Sequence, residues 1–109
     1  MLELWQTELC PASRRVRERL TELGVDYIAH QVPVDKNKRL ELARRTGSDS
    51  IPALTLDDGT TTTGEEAIRR YLGERFPEPP DADAHRAKAA RLRRRYLEEE
   101  CECSQPATR

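Results

Sequence analysis

Leu2 and Leu4 alternate with Glu3 ahead of Trp5, a period of two that predicts a short strand with one buried face. From Pro11 the period changes. Val16, Leu20 and Leu23 recur at helical spacing, while Arg14, Arg15, Arg17, Glu18 and Arg19 fill the other side, and Gly24 supplies the usual left-handed stop. Val25 to Val32 reads as a second strand, closed by Pro33. Asp35 is placed to cap a second helix from Lys36 to about Arg45, with Leu40 and Leu42 as its apolar marks and Gly47 as its end. Ile51-Pro52 introduces a third strand, Ala53 to Leu56, and Asp57-Asp58-Gly59 predicts a hairpin turn into a return strand, Thr60 to Thr62. Thr63 with Glu66 three residues on fits a capping box. The helix it opens points Ala67, Ile68, Tyr71 and Leu72 inward and stops before Pro77.

The order strand, helix, strand, helix, strand, strand, helix defines an α/β domain over residues 1–77. The helical crossover makes the first two strands parallel, and the tight turn makes the last two antiparallel. Residues 78–81 form a Pro-rich linker, 82–103 a further helix, and 104–109 a loose tail. The apolar seam of that last helix is narrow: Ala89, Leu92, Tyr96 and Cys103.

Composition thins the core without removing it. Leu, Ile, Val and Phe supply 20 of the 109 residues, beside the roughly 20% below which a highly charged chain fails to fold. The net charge is only −1, although 36% of residues are charged. The disorder criterion is therefore not met, and no field of one sign points to nucleic acid. The Arg91, Arg93, Arg94, Arg95 run is answered by Glu98, Glu99 and Glu100, which predicts a salt-bridged helix or a homodimer contact. No apolar stretch approaches the ~20 residues of a membrane span, and no secretory leader is evident. A reducing cytoplasm is the expected compartment for three cysteines without a disulfide framework. Cys101 and Cys103 are too close for an easy disulfide and lack metal-ligand spacing with His30 or His85, so they are expected to be exposed thiols, and no metal is expected.

Candidate chemistry centres on Cys10-Pro11-Ala12-Ser13, at the turn from the first strand into the first helix. Unpaired backbone N–H groups and the positive end of the helix dipole favour a thiolate there. Pro11 suits the first helical position, where a missing N–H is harmless. Ser13, one turn on, is placed to offer its hydroxyl to the sulfur, or to serve as an ordinary first-turn residue. Glu8 opposes thiolate formation, and Arg14 and Arg15 either offset it or remain solvated charges.

Three segments carry a family resemblance. Leu2-Glu-Leu-Trp5 followed by Cys10-Pro-Ala-Ser13, the Ser50-Ile51-Pro52-Ala-Leu54 run, and Gly64-Glu-Glu-Ala-Ile-Arg-Arg-Tyr-Leu72 resemble glutaredoxins and the N-terminal domain of glutathione S-transferases. The resemblance covers roughly residues 1–77. It implies a thioredoxin-like fold, βαβαββα, with a mixed four-stranded sheet and helices on both faces, plus the appended C-terminal helix.

It also implies a single-thiol oxidoreductase working on mixed disulfides of glutathione, or of a related thiol such as mycothiol or γ-glutamylcysteine. Cys10 would be the nucleophile, flanked by Pro11. Ser13 stands where two-thiol glutaredoxins keep a second cysteine. A cis Ile51–Pro52 bond would form the edge against which the thiol pairs. Glu65 would take the ammonium of a γ-glutamyl group, and the backbone N–H groups of Glu65 and Glu66 its carboxylate, the Glu66 side chain serving the cap. Three rivals stand beside this reading: a thiol-binding or partner-binding module with little turnover, a shortened transferase-like protein lacking the second domain that completes the electrophile pocket, and an iron–sulfur carrier, as in single-thiol glutaredoxins, which have Gly where Pro11 stands here.

Overall fold

The computed structural model describes residues 1–92. Strand β1 (Leu2–Gln6) leads into helix α1 (Pro11–Leu23), followed by β2 (Tyr27–Gln31), a 3-10 turn (Lys36–Lys38), α2 (Leu40–Thr46), β3 (Ala53–Thr55), β4 (Thr61–Thr63), α3 (Glu65–Arg75) and α4 (Ala82–Leu92). The sheet order is β2-β1-β3-β4, with β1 and β2 parallel and the other two pairs antiparallel. This is the mixed, thioredoxin-like α/β arrangement that the element order implies.

Both faces of the sheet are covered. On one, Leu2, Leu4 and Leu54 pack against Val16, Leu20 and Leu23 of α1 and Ile68 and Leu72 of α3. On the other, Trp5 and Ala53 meet Val32 and Leu42. β1 is therefore buried on both sides rather than one. The period-two pattern of Leu2 and Leu4 reports only the α1–α3 face. Trp5 belongs to the opposite face, where its indole N–H donates to Thr55 Oγ1 at 3.0 Å and its ring stacks on His30 at 4.1 Å.

Two local expectations are corrected. The helix expected over 36–45 is broken in two. Asp35 does cap, accepting from the Asn37 N–H at 2.9 Å, but it caps a 3-10 turn. Arg39 then leaves helical geometry at φ −87°, ψ 53°. Its nearly buried guanidinium donates to the carbonyls of Pro33, Val34 and Asp49. Those three bonds hold the break, and α2 starts after it with Leu40 exposed and Leu42 buried. The Thr63–Glu66 capping box does not form either. Thr63 is the last residue of β4, paired with Ala53, and the cap is Gly64 with no side-chain hydrogen bond. Glu66 is exposed.

Helix α4 lies against α1. Ala82 is buried, and Arg86 reaches Glu22 at 3.3 Å and Glu78 at 2.6 Å, while Arg19 meets the same two carboxylates at 2.8 Å. Tyr96, Cys101, Cys103, the Arg93–Arg95 and Glu98–Glu100 runs, the 104–109 tail and the dimer seam lie wholly or partly outside the described residues. Among the described residues no helix is long and apolar enough to cross a membrane.

Candidate active site

Strand direction brings the candidate residues to one end of the sheet. Trp5 is in register with His30, Ala53 with Trp5, and Thr63 with Ala53. β1, β2 and β4 exit at that end and β3 enters there. The segments before Cys10, after β2, through Ile51–Pro52 and into Gly64–Glu65 therefore emerge side by side. The Ile51–Pro52 bond is cis, and the Gly64 N–H donates to the Pro52 carbonyl at 2.9 Å, joining two of these segments directly. Neither Ile51 backbone group has a hydrogen-bond partner among the described residues.

Cys10 is the N-cap of α1. Its backbone is extended, Pro11 follows at the first helical position, and its Sγ accepts the Ser13 N–H at 3.3 Å. The sulfur thus takes the place that a Ser or Asp oxygen fills in ordinary caps, and an anionic sulfur is the stronger acceptor. Cys10 is half-buried, within reach of solvent. The contact with Ser13 comes through its backbone, not its hydroxyl. Ser13 is fully buried and its Oγ has no hydrogen-bond partner among the described residues. It occupies the first place of the stripe Ser13, Val16, Leu20, Leu23 that α1 turns inward, so a hydroxyl stands at a core position.

The loop in front of Cys10 is pinned by amides. Gln6, also buried, donates to Gln31 Oε1 and to Glu8 at 3.0 Å each, and accepts from Arg17. Gln31 donates to Thr7 Oγ1 at 2.9 Å, and the Cys10 N–H to the Thr7 carbonyl at 3.2 Å. Glu8 has a countercharge in Arg17 at 3.5 Å, which offsets its opposition to an anionic sulfur. Gln6 and Gln31 stand at the ends of predicted strands, so their placement signalled them weakly; their pairing required the β1–β2 register.

Glu65 opens α3, but its carboxylate does not stand open. Arg15 grips it with one edge of the guanidinium, Nε to Oε2 at 2.7 Å and Nη2 to Oε1 at 2.9 Å. Arg69 adds a contact at 3.5 Å. The Arg15 hydrogen bonds hold the Glu65 carboxyl below the usual carboxylate range, against a smaller opposing effect of burial. The Arg15 guanidinium is held above its ordinary value chiefly by Glu65, with Cys10 among the lesser attractions. Arg14 pairs instead with Glu18 at 3.1 Å. Among the described residues no group of three or more His, Cys, Asp and Glu is placed to hold a metal ion.

Residues 4–80 match the family described as glutathione S-transferase, N-terminal domain. Glutaredoxin 3 of Escherichia coli is 31% identical over 58 residues, 51% of this chain and 68% of the relative. A glutathione S-transferase from Rhodospirillum rubrum F11 superposes with TM-score 0.62 at 35% identity, over 84% of this chain and 42% of the other. A transferase from Methylobacillus flagellatus KT, solved with glutathione bound, gives TM-score 0.62 at 26% identity over 83% of this chain and 46% of its own. The chain belongs to the glutathione S-transferase N-terminal domain family, within the thioredoxin-like group that includes glutaredoxins. It spans less than half the length of these two transferases.

Proposed function

We propose that the protein is a single-thiol oxidoreductase acting on mixed disulfides of glutathione or a related small thiol, in a reducing cytoplasm. The observation that carries the reading is the Cys10 sulfur set as the cap of α1, accepting a backbone N–H at 3.3 Å. The relative called glutaredoxin 3 and the transferase solved with glutathione support the choice of thiol.

The Cys10 thiolate attacks the glutathione sulfur of a mixed disulfide. A Cys10–glutathione S–S bond forms, the bond to the substrate sulfur breaks, and the substrate leaves as a thiolate. A second glutathione thiolate then attacks the glutathione sulfur held on Cys10. Glutathione disulfide departs and the Cys10 thiolate is restored. Each step consumes and releases one thiolate, so charge and electrons balance without a second protein cysteine.

Pro11 starts the helix that presents the sulfur. The Ser13 hydroxyl, unpartnered at rest, becomes a donor to that sulfur. Pro52 shapes the wall, and the unpaired N–H and C=O of Ile51 meet the peptide backbone of the thiol. Glu65 and the backbone at Glu66 receive its γ-glutamyl end, and residues 1–77 form the unit that does this.

Reduction of a glutathionylated peptide, wild type beside Cys10→Ser, tests the reading. A clear rate lost in the variant supports it. Equal background rates favour a binding module. The 35% identity to a transferase supports a second reading, conjugation of glutathione to an electrophile, and adduct formation in the same preparation decides it.

A further inference from the structure

We propose that the free edge of β2 is a self-association surface, on which a second copy of this chain lays its own β2, antiparallel and centred on Ala29. Two four-stranded sheets then become one. The pairing is independent of the chemistry at Cys10.

β2 ends the sheet order, so only one of its sides is paired, with β1. The Val32 N–H donates to the Gln6 carbonyl at 2.9 Å. Backbone groups alternate along a strand, so Ile28 and His30 also turn toward β1. The N–H and C=O of Tyr27, Ala29 and Gln31 turn to the free side, where they have no partner among the described residues. Such edges are ordinarily defended by brevity, charge or proline. The opposite edge, β4, has only three residues, all threonine. β2 has five, Tyr-Ile-Ala-His-Gln, with no Lys, Asp, Glu or Pro among them, and Ile28 is 46% exposed.

A hollow of about 310 Å³ lies along this edge, lined by Ala29, His30, Val32 and Pro33 on one side and by Lys38 and Leu40 on the other. Leu40 is 75% exposed. The shape and chemistry set three demands on an occupant. It must be extended, to meet the outward amides. It must be apolar opposite His30, to fill the hollow against Leu40. It must be acidic two residues before that apolar position, where an antiparallel strand passes toward Lys38. Asp26-Tyr27-Ile28 of this same chain is such a segment. Among the described residues neither Asp26 nor Lys38 has an ion-pair partner.

In that register the outward groups match. Ala29 faces the partner's Ala29, and Tyr27 faces the partner's Gln31, each pair exchanging both N–H···O bonds. Ile28 stands across from the partner's His30 as a close cross-strand pair. Asp26 reaches the partner's Lys38. The pairing is isologous, so every contact is made twice. The two strands run in opposite directions, which leaves the Cys10 sites at opposite ends of the joined sheet, both open. One five-residue strand pair falls short of the roughly 1,200–2,000 Å² of a stable interface, so the dimer is a reversible one.

Sedimentation velocity of the full chain from about 5 μM to 1 mM, in reductant to exclude disulfide dimers, tests this together with hydrogen exchange at β2. The expected result is a monomer–dimer equilibrium, with the Tyr27, Ala29 and Gln31 amides exchanging more slowly as concentration rises. Ile28→Lys removes an apolar contact on both sides of the two-fold and should weaken the dimer by about tenfold or more. Ala29→Pro should abolish it and keep the fold, because the N–H that it removes faces away from β1. Asp26→Lys and Lys38→Asp should each weaken it by about threefold to tenfold, and the two together should regain most of the loss. A wild type that stays monomeric to about 1 mM overturns the proposal. So does a dimer indifferent to Ile28→Lys and to the charge exchange, which would use another face. Amides of β2 protected equally at every concentration would be covered by a segment of the same chain, and would overturn it as well.

Discussion

Replacing Ser13 by Ala should make the resting protein more stable and, under the proposed chemistry, the reaction at Cys10 slower. The hydroxyl is fully buried and its Oγ has no hydrogen-bond partner among the described residues. Burying such a group without a partner costs about 1–3 kcal/mol in proteins. Alanine removes that penalty and leaves only a small void. The backbone N–H that serves the Cys10 sulfur is kept, so the cap itself survives. A net gain of about 1 kcal/mol is expected, which for a domain near 100 residues raises Tm by roughly 4–8 °C. Urea denaturation followed by fluorescence of Trp5, the lone tryptophan, measures it, with an unchanged slope showing that the denatured state is the same.

Turnover should move the other way. A hydroxyl donated to an anionic sulfur is worth about 1.5–3 kcal/mol, so losing it in the reacting state slows Cys10 chemistry roughly 10- to 100-fold. The two measurements test different links. If Ser13→Ala is destabilised by 1 kcal/mol or so, the hydroxyl has a partner at rest and does not stand unpaired in the core. If stability rises and turnover is untouched, the hydroxyl is an idle polar atom in the core, and its service to the sulfur is refuted.

Three further outcomes follow from single features. Gly64→Ala should destabilise by about 1–3 kcal/mol, because φ 98° with ψ 145° is open only to glycine; a Cβ there would meet nothing within 4 Å, so a neutral result in thermal melts would refute the backbone argument. Arg39→Lys keeps the charge but cannot serve all three carbonyls of Pro33, Val34 and Asp49 in one plane; a loss of about 1–3 kcal/mol is expected, with faster amide exchange in the segment after β2, and unchanged exchange there would count against the clamp. Glu65 has its carboxyl depressed by Arg15, so its contribution is fully present above the unfolded carboxylate value of about 4.3 and is lost as pH falls through the lower folded value; Glu65→Gln should flatten that part of the acid limb in urea titrations, and an identical limb in both proteins would refute the linkage.

The fold was legible where the pattern was local. Val16, Leu20 and Leu23 marked the buried stripe of α1, and Gly24, at φ 68°, marked its stop. The positions that misled were those where tertiary bonds outweigh local preference. Lys36 to Arg45 is made of good helix formers apart from Asn37, yet Arg39 bonds three carbonyls in two neighbouring loops instead of continuing a helix. Thr63 has the sequence of a cap, yet pairing with Ala53 claims it for the sheet, and the turn passes to Gly64.

The site divides along the same line. Cys10 at the head of α1 and the Ile51–Pro52 segment are visible in sequence because a helix start and an X-Pro step are local features. The state of Glu65 is not, since nothing near it in the chain announces Arg15. An arginine in the run Arg14-Arg15-Val16-Arg17 looks like one more solvated charge, and Arg14, beside it, indeed pairs within its own helix. The difference is one helical step of about 100°. It leaves Arg14 facing Glu18 and turns Arg15 toward α3, where the carboxylate expected to await a ligand is already in hand. A site residue read from sequence is thus read without its resident partner. Here that partner carries the charge opposite to the one the sequence assigned to the site, so the role of Glu65 is a question about a pair rather than about a single glutamate.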